Sequence, residues 1–188
     1  MTRMPDLRST LPPQVEGAPY VMVFVCTGNI CRSPMAEMAT KMMADTAELP
    51  DGSTLGERLI VMSAGTGPWH EGEPMDPRAG AALRRAGYPD RSHVAHQISV
   101  PHVKKANLIV ALDRRHQQTL RSLGTDPSRL FLLRSFDPAA GAASDVPDPY
   151  YGDDAEFDAC LEMIANGCRG LVSALASLWK DLASPSEP

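Results

Sequence analysis

An apolar run that leads through a polar loop into a helix start constrains the fold of this chain more than any other feature. Residues 21–25 read Val-Met-Val-Phe-Val, which predicts a buried strand, and residues 26–32 form the loop. Ser33 and Pro34 then open a predicted helix, because Ser favours the N-cap and Pro the first helical position. Backbone N–H groups of such a loop point at one spot, where the helix dipole adds positive potential. The stretch therefore predicts an anion-binding site.

The loop contains a cysteine and an arginine in a Cys-x5-Arg arrangement, at Cys26 and Arg32. The thiolate is the nucleophilic form of cysteine, and positive potential favours it over the thiol. The planar guanidinium of Arg32 can bind two phosphate oxygens at once. Gly28 and Asn29 are residue types that tolerate a positive φ, which a loop with inward-facing amides requires. The arrangement indicates covalent catalysis at a phosphate monoester, with the loop holding the oxygens while the sulfur attacks phosphorus.

A second polar segment, Asp-Pro-Tyr-Tyr-Gly, begins at Asp148 after the predicted fourth strand. Cleavage of a phosphate ester needs a proton for the departing oxygen, and a carboxyl group can supply it. Tyr150 and Tyr151 are suited to framing a flat ring. Alone, the segment could be a surface turn, since Asp, Pro and Gly are turn residues. Together with the Cys26 loop it indicates a general acid, and Asp148 is preferred to the nearby Asp145.

The residues Val-Cys-Thr-Gly-Asn-Ile-Cys-Arg-Ser-Pro-Met-Ala-Glu at 25–37 resemble the signature of the low-molecular-weight protein tyrosine phosphatases. Asp-Pro-Tyr-Tyr-Gly is similar to the motif that carries the general acid of that family, and the chain looks most like its actinobacterial and eukaryotic-type members. The resemblance implies hydrolysis of phosphotyrosine without a metal or other cofactor. Cys26 would attack phosphorus while Asp148 protonates the leaving oxygen, and water would then hydrolyse the cysteinyl phosphate.

The resemblance also implies which residues surround the reacting phosphate. Those expected in the phosphate-binding loop, besides Cys26 and Arg32, are Thr27, Gly28, Asn29, Ile30, Cys31 and Ser33. Those expected to wall the substrate cleft are Trp69, Tyr150 and Tyr151. Those expected to support the loop from outside are Ser63 and His93. Two of these positions have alternatives, since Trp69 could simply pack a loop and His96 lies close to His93.

Strand and helix patterns alternate along the rest of the chain and predict a parallel, doubly wound sheet. Predicted strands lie at 59–62, 108–112 and 130–133, and predicted helices at 77–86, 114–123 and 154–178. The resemblance implies a single-domain α/β fold with a four-stranded, parallel, twisted sheet, helices on both faces and the Cys-x5-Arg loop after the first strand. We expect this domain at residues 20–180, between a flexible N-terminal extension (1–19) and a flexible C-terminal tail (181–188).

Composition limits the partners and the compartment. The net charge is −5 with no run of Lys or Arg, which disfavours nucleic acid. No apolar run approaches the ~20 residues that span a membrane, and the N-terminus lacks the apolar core of a signal peptide. The four cysteines fit neither a secreted disulfide framework nor zinc-ligand spacing. We expect a cytoplasmic monomer that acts on phosphotyrosine proteins and is inhibited by inorganic phosphate. The sequence does not decide whether the protein is also exported by a non-classical route.

Three alternative functions share features with this chain. Arsenate reductases of similar fold use the same loop but need two further redox cysteines in the middle of the chain, and none lies between Cys31 and Cys160. Protein-arginine phosphatases tend to have Thr where this chain has Ile30, whose apolar side chain suits an aromatic ring better. An inactive phosphopeptide-binding module is disfavoured because Cys26, Arg32 and Asp148 are all present.

Overall fold

The computed structural model of the chain describes residues 11–13, 18–142 and 145–183. Its strands are β1 (Tyr20–Cys26), β2 (Leu59–Gly65), β3 (Leu108–Ala111) and β4 (Leu130–Leu132). Its α-helices are α1 (Arg32–Asp45), α2 (Pro77–Arg85), α3 (Val100–Lys105), α4 (Arg114–Ser122) and α5 (Asp154–Ala183). No helix within these residues is long and apolar enough to cross a membrane.

The four strands form one parallel sheet in the order β2-β1-β3-β4. Strand β1 therefore lies between two neighbours, and Cys26 at its end is opposite Gly65 of β2. The predicted α/β fold class is confirmed. Because the carboxyl ends of all four strands lie at the same edge, the loops that follow them converge there, which is where ligands bind in open α/β sheets.

The apolar run of β1 is explained by burial of both faces of the sheet. Side chains of a strand point alternately to opposite faces. Met22 and Phe24 pack in one core cluster, which also contains residues of α1 and α5. Val23 and Val25 pack in a second cluster with residues of α3 and α4. Helices thus cover both faces, and continuous rather than alternating hydrophobicity is what such a strand requires.

Two local features differ from the sequence predictions. Helix α1 begins at Arg32 with Cys31 in the N-cap position, so the prediction that Ser33 caps this helix is wrong. The Ser33 hydroxyl lies in the first turn and contacts Ala64 O and Cys26 Sγ instead. Helix α3 was not predicted, because its six residues are too few to show helical periodicity.

The ends of the described chain extend beyond the predicted domain. Leu11 is only 5% exposed and belongs to the main core cluster, and the Tyr20 hydroxyl donates a hydrogen bond of 3.1 Å to the carbonyl of Pro12. Leu11 and Pro12 of the predicted 1–19 extension therefore contact the domain, while 1–10 and 14–17 lie outside the described residues. Helix α5 continues to Ala183, and residues 184–188 of the predicted tail lie outside as well.

Candidate active site

Cys26 ends β1 and begins the loop to α1, as the sequence predicted. Its side chain is 2% exposed, and Sγ lies 3.0 Å from Ser33 Oγ. The loop is fastened to the neighbouring strand by backbone bonds from Thr66 N to Cys26 O (2.8 Å) and from Gly67 N to Thr27 O (3.0 Å). The thiol is therefore held at the carboxyl edge of the sheet, beside the first turn of α1.

Asn29 is the residue around which the loop turns. Its φ is 58°, and its side chain is fully buried. Nδ2 donates to Ser33 Oγ and to Ser63 Oγ, both at 2.9 Å, and Oδ1 accepts from His96 N at 3.0 Å. Since Ser33 Oγ accepts from Asn29, its own hydrogen is available to Cys26 Sγ or to Ala64 O.

The predicted supporting residues Ser63 and His93 both lie in contact with this framework. Ser63 Oγ donates to Glu37 Oε2 at 2.6 Å, and the other oxygen of Glu37 lies 2.5 Å from Lys41 Nζ. His93 Nε2 donates to the carbonyl of Asn29 at 2.7 Å. Burial lowers the pKa of His93, although this hydrogen bond opposes the shift. Sequence reasoning missed Glu37, whose spacing from Lys41 on one face of α1 was the available signal.

Gly28 is needed for a reason that differs from the prediction. It does not adopt a positive φ, whereas Asn29 does. A Cβ at Gly28 would instead lie 2.7 Å from Cδ2 of the His70 ring. The glycine therefore allows the histidine to approach the loop. A contact between residues so far apart in sequence could not be read from the loop alone.

Arg32 is almost fully buried, with 3% of its side chain exposed. Nη1 donates to Asp113 Oδ2 at 3.0 Å and to the carbonyl of Val146 at 3.1 Å. Nη2 donates to Thr27 Oγ1 at 3.1 Å and contacts Asp148 Oδ2. Nε is buried without a partner among the described residues. A buried donor without an acceptor costs free energy, and an oxyanion bound in the loop would supply that acceptor.

Asp148 reaches the loop from the segment before α5 while remaining half exposed, at 46% of its side chain. One carboxylate oxygen contacts Arg32, and the other accepts from Tyr150 N at 3.3 Å. Asp145 lies nearby but accepts from Arg114 N at 3.0 Å instead. The structure thus brings the predicted acid Asp148, and not Asp145, into contact with the arginine of the loop.

Asp113 and His116 are two site residues that sequence reasoning missed. Asp113 follows β3 and caps α4, with Oδ1 accepting from His116 N at 2.9 Å. Its other oxygen forms an ion pair with Arg32. The signal that could have found Asp113 is its position, since it lies at the carboxyl end of a parallel strand, like Cys26.

A cavity of about 230 Å³ opens above the loop. It is lined by Cys26, Thr27, Gly28, Ile30, Cys31, Arg32, Trp69, His70, Asp148, Tyr150 and Tyr151. The aromatic residues at its mouth are exposed, Trp69 by 69% and Tyr151 by 97%. Tyr150 packs edge-on against Tyr151 with ring centroids 5.0 Å apart. The cavity therefore combines a polar base with an apolar, aromatic rim.

The three remaining cysteines, Cys31, Cys160 and Cys168, are buried thiols. Burial, with Asp76 as the next contribution, raises the pKa of Cys31. Burial likewise raises the pKa of Cys160 and of Cys168 to about 12. Within the described part of the chain, no group of three or more His, Cys, Asp or Glu side chains could hold a metal ion.

Fold and cavity together define a phosphoric monoester hydrolase, and comparisons with known proteins give the family. A family model described as low molecular weight phosphotyrosine protein phosphatase matches residues 21–183. The low molecular weight protein-tyrosine phosphatase A of Mycobacterium tuberculosis is 48% identical over 154 residues, which cover 81% of this chain and 90% of the relative. The low molecular weight protein-tyrosine-phosphatase of Streptomyces coelicolor is 46% identical over 160 residues, which cover 83% of this chain and 93% of the relative.

Solved structures show the same likeness. The crystal structure of YfkJ from Bacillus subtilis superimposes with a TM-score of 0.75 at 32% identity, covering 87% of this chain and 98% of that one. The chain belongs to the low molecular weight phosphotyrosine protein phosphatase family. It is a protein-tyrosine phosphatase, and phosphoproteins are its substrates. The family and the activity predicted from the two motifs are confirmed.

Proposed function

We propose that the enzyme hydrolyses phosphotyrosine in two chemical steps, with Cys26 as the nucleophile. In the first step Sγ forms a bond to phosphorus, the bond between phosphorus and the tyrosine oxygen breaks, and Asp148 gives its proton to that oxygen. In the second step the Asp148 carboxylate takes a proton from water, the water oxygen attacks phosphorus, and the S–P bond breaks. Inorganic phosphate leaves, and the thiolate of Cys26 is regenerated.

One observation carries this proposal: Cys26, Arg32 and Asp148 line a single cavity, although 116 positions separate the arginine from the acid. Arg32 and the loop amides would hold the three non-bridging oxygens and stabilise the charge that develops in both steps. The unpartnered Nε of Arg32 supports this role, because it is a buried donor that lacks an acceptor. The charge stabilisation that a metal ion supplies in other phosphatases would come from the loop and its arginine.

The rim favours phosphotyrosine over the shorter phosphoserine. The thiol of Cys26 is buried, whereas Trp69 and Tyr151 stand exposed at the mouth of the cavity. A phosphate carried on an aromatic ring can reach the sulfur while its ring lies between these side chains. A phosphate on the short serine side chain would be held too far from the base of the cavity. Ile30, which also lines the cavity, adds an apolar surface that suits a ring.

We also propose that the product inhibits the enzyme, and we propose its oligomeric state and its compartment. Inorganic phosphate should compete with substrate, because it fits the same loop and would satisfy Arg32. We propose that the enzyme is a monomer that works in the cytoplasm, and that its phosphatase domain is the predicted 20–180 together with the contacts of Leu11 and Pro12 and the last residues of α5 to Ala183. Inhibition by phosphate that is competitive against p-nitrophenyl phosphate, and elution at the monomer mass in size-exclusion chromatography, would support these statements.

Turnover of p-nitrophenyl phosphate and of a phosphotyrosine peptide tests the assignment of the nucleophile. Cys26→Ser and Arg32→Ala should both abolish turnover while the thermal unfolding transition stays cooperative. Cys168→Ala, at a buried cysteine on α5, is the matched control and should retain activity. Turnover in Cys26→Ser at the level of the control would remove Cys26 from the role proposed for it.

A further inference from the structure

Both terminal nitrogens of Arg32 belong to a closed ring of contacts. Nη1 donates to Asp113 Oδ2 at 3.0 Å, and Nη2 donates to Thr27 Oγ1 at 3.1 Å. His116 joins these two acceptors, since its Nδ1 lies 3.0 Å from Asp113 Oδ1 and its Nε2 lies 2.8 Å from Thr27 Oγ1. We refer to Asp113, His116 and Thr27 as the arginine clamp. Its contacts join three segments of the chain: the β1–α1 loop, the end of β3 and the first turn of α4.

The contacts define where the protons of the clamp lie. Thr27 Oγ1 accepts from Arg32, so its own hydrogen is free to go to His116 Nε2. The proton of the imidazole then sits on Nδ1 and faces the carboxylate of Asp113. That approach is close but bent, and Nδ1 makes no hydrogen bond of good geometry. Asp113 therefore orients the ring mainly through its charge, and Thr27 makes the directional contact.

The charge state of His116 agrees with this arrangement. The side chain is almost completely buried, and burial followed by the positive charge of Arg32 lowers its pKa to about 4, although Asp113 opposes the shift. The imidazole is thus neutral at neutral pH. A neutral ring can accept from the Thr27 hydroxyl, whereas a protonated ring would present a donor there and a like charge near Arg32.

We propose that His116 is a positioning residue, which acts through Thr27 to keep Arg32 oriented for binding the phosphoryl group. The inference rests on the proposed role of Arg32. Of the contacts to the guanidinium, the one from Asp148 has to change during the reaction, because that carboxyl group must give and take a proton at the substrate. The clamp does not take part in the chemistry. It can therefore hold the two Nη atoms in place, with Nε left for an oxygen of the phosphate.

A purely structural role for His116 predicts different behaviour. The residue packs in the first turn of α4, and its backbone N–H is capped by Asp113. If packing were its only role, substitution would change stability and leave the binding of oxyanions at the loop unaltered. The two roles are therefore separated by measurements of anion binding in variants that stay folded.

The test uses His116→Phe and Thr27→Val, which keep approximate size but remove the polar contact between the two side chains. We expect kcat/KM for a phosphotyrosine peptide to fall by about 10- to 100-fold in each, the range for loss of a group that orients another. Inhibition by inorganic phosphate and by orthovanadate should weaken in parallel. His116→Gln, whose amide oxygen can still accept from Thr27, should recover most of the loss. His102→Phe on α3 is the matched control and should behave as wild type.

Alkylation of Cys26 provides a second measurement, which a loss of packing alone would not change. Iodoacetate carries a carboxylate that Arg32 attracts, whereas iodoacetamide is neutral. The ratio of their inactivation rates should fall in His116→Phe and in Thr27→Val, and remain near the wild-type value in His116→Gln. In the double variant His116→Phe/Thr27→Val, kcat/KM should fall little further than in either single variant, because both substitutions break the same contact path to Arg32.

The other possible results distinguish a failure of the arginine clamp from a failure of the proposed function. Wild-type phosphate inhibition and kcat/KM in Thr27→Val and His116→Phe, alongside an inactive Arg32→Ala, would overturn the clamp and leave the proposed function intact. Wild-type activity in Arg32→Ala would overturn the proposed function itself. If His116→Phe does not fold, His116→Leu, which likewise cannot accept from the Thr27 hydroxyl, takes its place in the comparison with His116→Gln, because Thr27→Val also removes an acceptor that Arg32 contacts directly.

Discussion

Asp148 and Arg32 form an ion pair in the lining of the cavity that Cys26 also lines, although the carboxylate is 46% exposed and the guanidinium only 3%. Each of the two charged groups is therefore held by the other before a substrate arrives. An incoming phosphate would compete for Arg32 and free the carboxyl group of Asp148 from this contact. Substrate binding would thereby leave the carboxyl group able to face the leaving oxygen in the first step.

The role of Asp148 predicts a dependence on the leaving group. Asp148→Asn should slow hydrolysis of phenyl phosphate by about 10²–10⁴-fold, the usual contribution of a positioned acid. The effect on p-nitrophenyl phosphate should be smaller, because nitrophenolate leaves more readily without a proton. Asp145→Asn, at a carboxylate that contacts Arg114, is the matched control. Equal slowing of the two substrates by Asp148→Asn would count against a proton donor.

The aromatic rim predicts the substrate preference. Trp69→Ala should raise KM for aryl phosphates more than it lowers kcat, because Trp69 would contact the ring and not the phosphate. Wild type should prefer a phosphotyrosine peptide to the matching phosphoserine peptide. Steady-state kinetics on the two peptides measures both effects. Equal kcat/KM for the two peptides would mean that the depth of the cavity and its aromatic rim do not select phosphotyrosine over phosphoserine.

The conformation of Asn29 predicts a stability difference between two small substitutions. Asn29→Ala removes buried hydrogen bonds and keeps a β-carbon at a φ of 58° without the short polar side chain that makes this conformation tolerable for Asn, so it should lower the free energy of unfolding by about 2 kcal/mol or more. Asn29→Gly loses the same hydrogen bonds but relieves the backbone strain and should be less destabilised by about 1 kcal/mol. Urea unfolding compares the pair. An alanine variant as stable as the glycine variant would show that the loop does not need this φ.

Burial of neutral His116 predicts how stability varies with pH. Its pKa is about 4 in the fold against 6.5 when free, so between these values the unfolded chain binds more protons. The contribution of this group to the free energy of unfolding therefore decreases as pH falls from 6.5 to 4, and is constant below. His116→Gln lacks the titration, so wild type should lose stability relative to the variant across this window. Urea unfolding at several pH values checks this, and a constant difference would contradict it.

The sequence was sufficient for the centre of the site because the strand, the loop and the helix start that form it are continuous in the chain. The apolar run at 21–25 predicted a buried strand, and the structure buries it on both faces of the sheet. The helix predicted at 77–86 is found as α2, which ends at Arg85. Spacing also predicted that Cys26 and Arg32 share a loop.

Contacts between distant segments could not be read in the same way. His116 meets Thr27 across 89 positions, and Asp113 meets Arg32 across 81. No local pattern distinguishes a histidine that reaches a distant loop from one that faces solvent. The prediction that Gly28 is needed for a positive φ was wrong for the same reason, because the need for glycine comes from the close approach of His70, a distant residue.

The central claim is that the phosphoryl group passes through Cys26, and identifying the phosphorylated residue tests it most directly. The enzyme is mixed with a phosphotyrosine peptide, denatured at alkaline pH within the first turnover, digested and examined by mass spectrometry. We predict a phosphoryl group on the fragment that contains Cys26, bound to sulfur, and its absence in Cys26→Ser. A phosphoryl group on a different residue, or phosphate released by wild type with no phosphorylated fragment at any time within the turnover, would contradict the account.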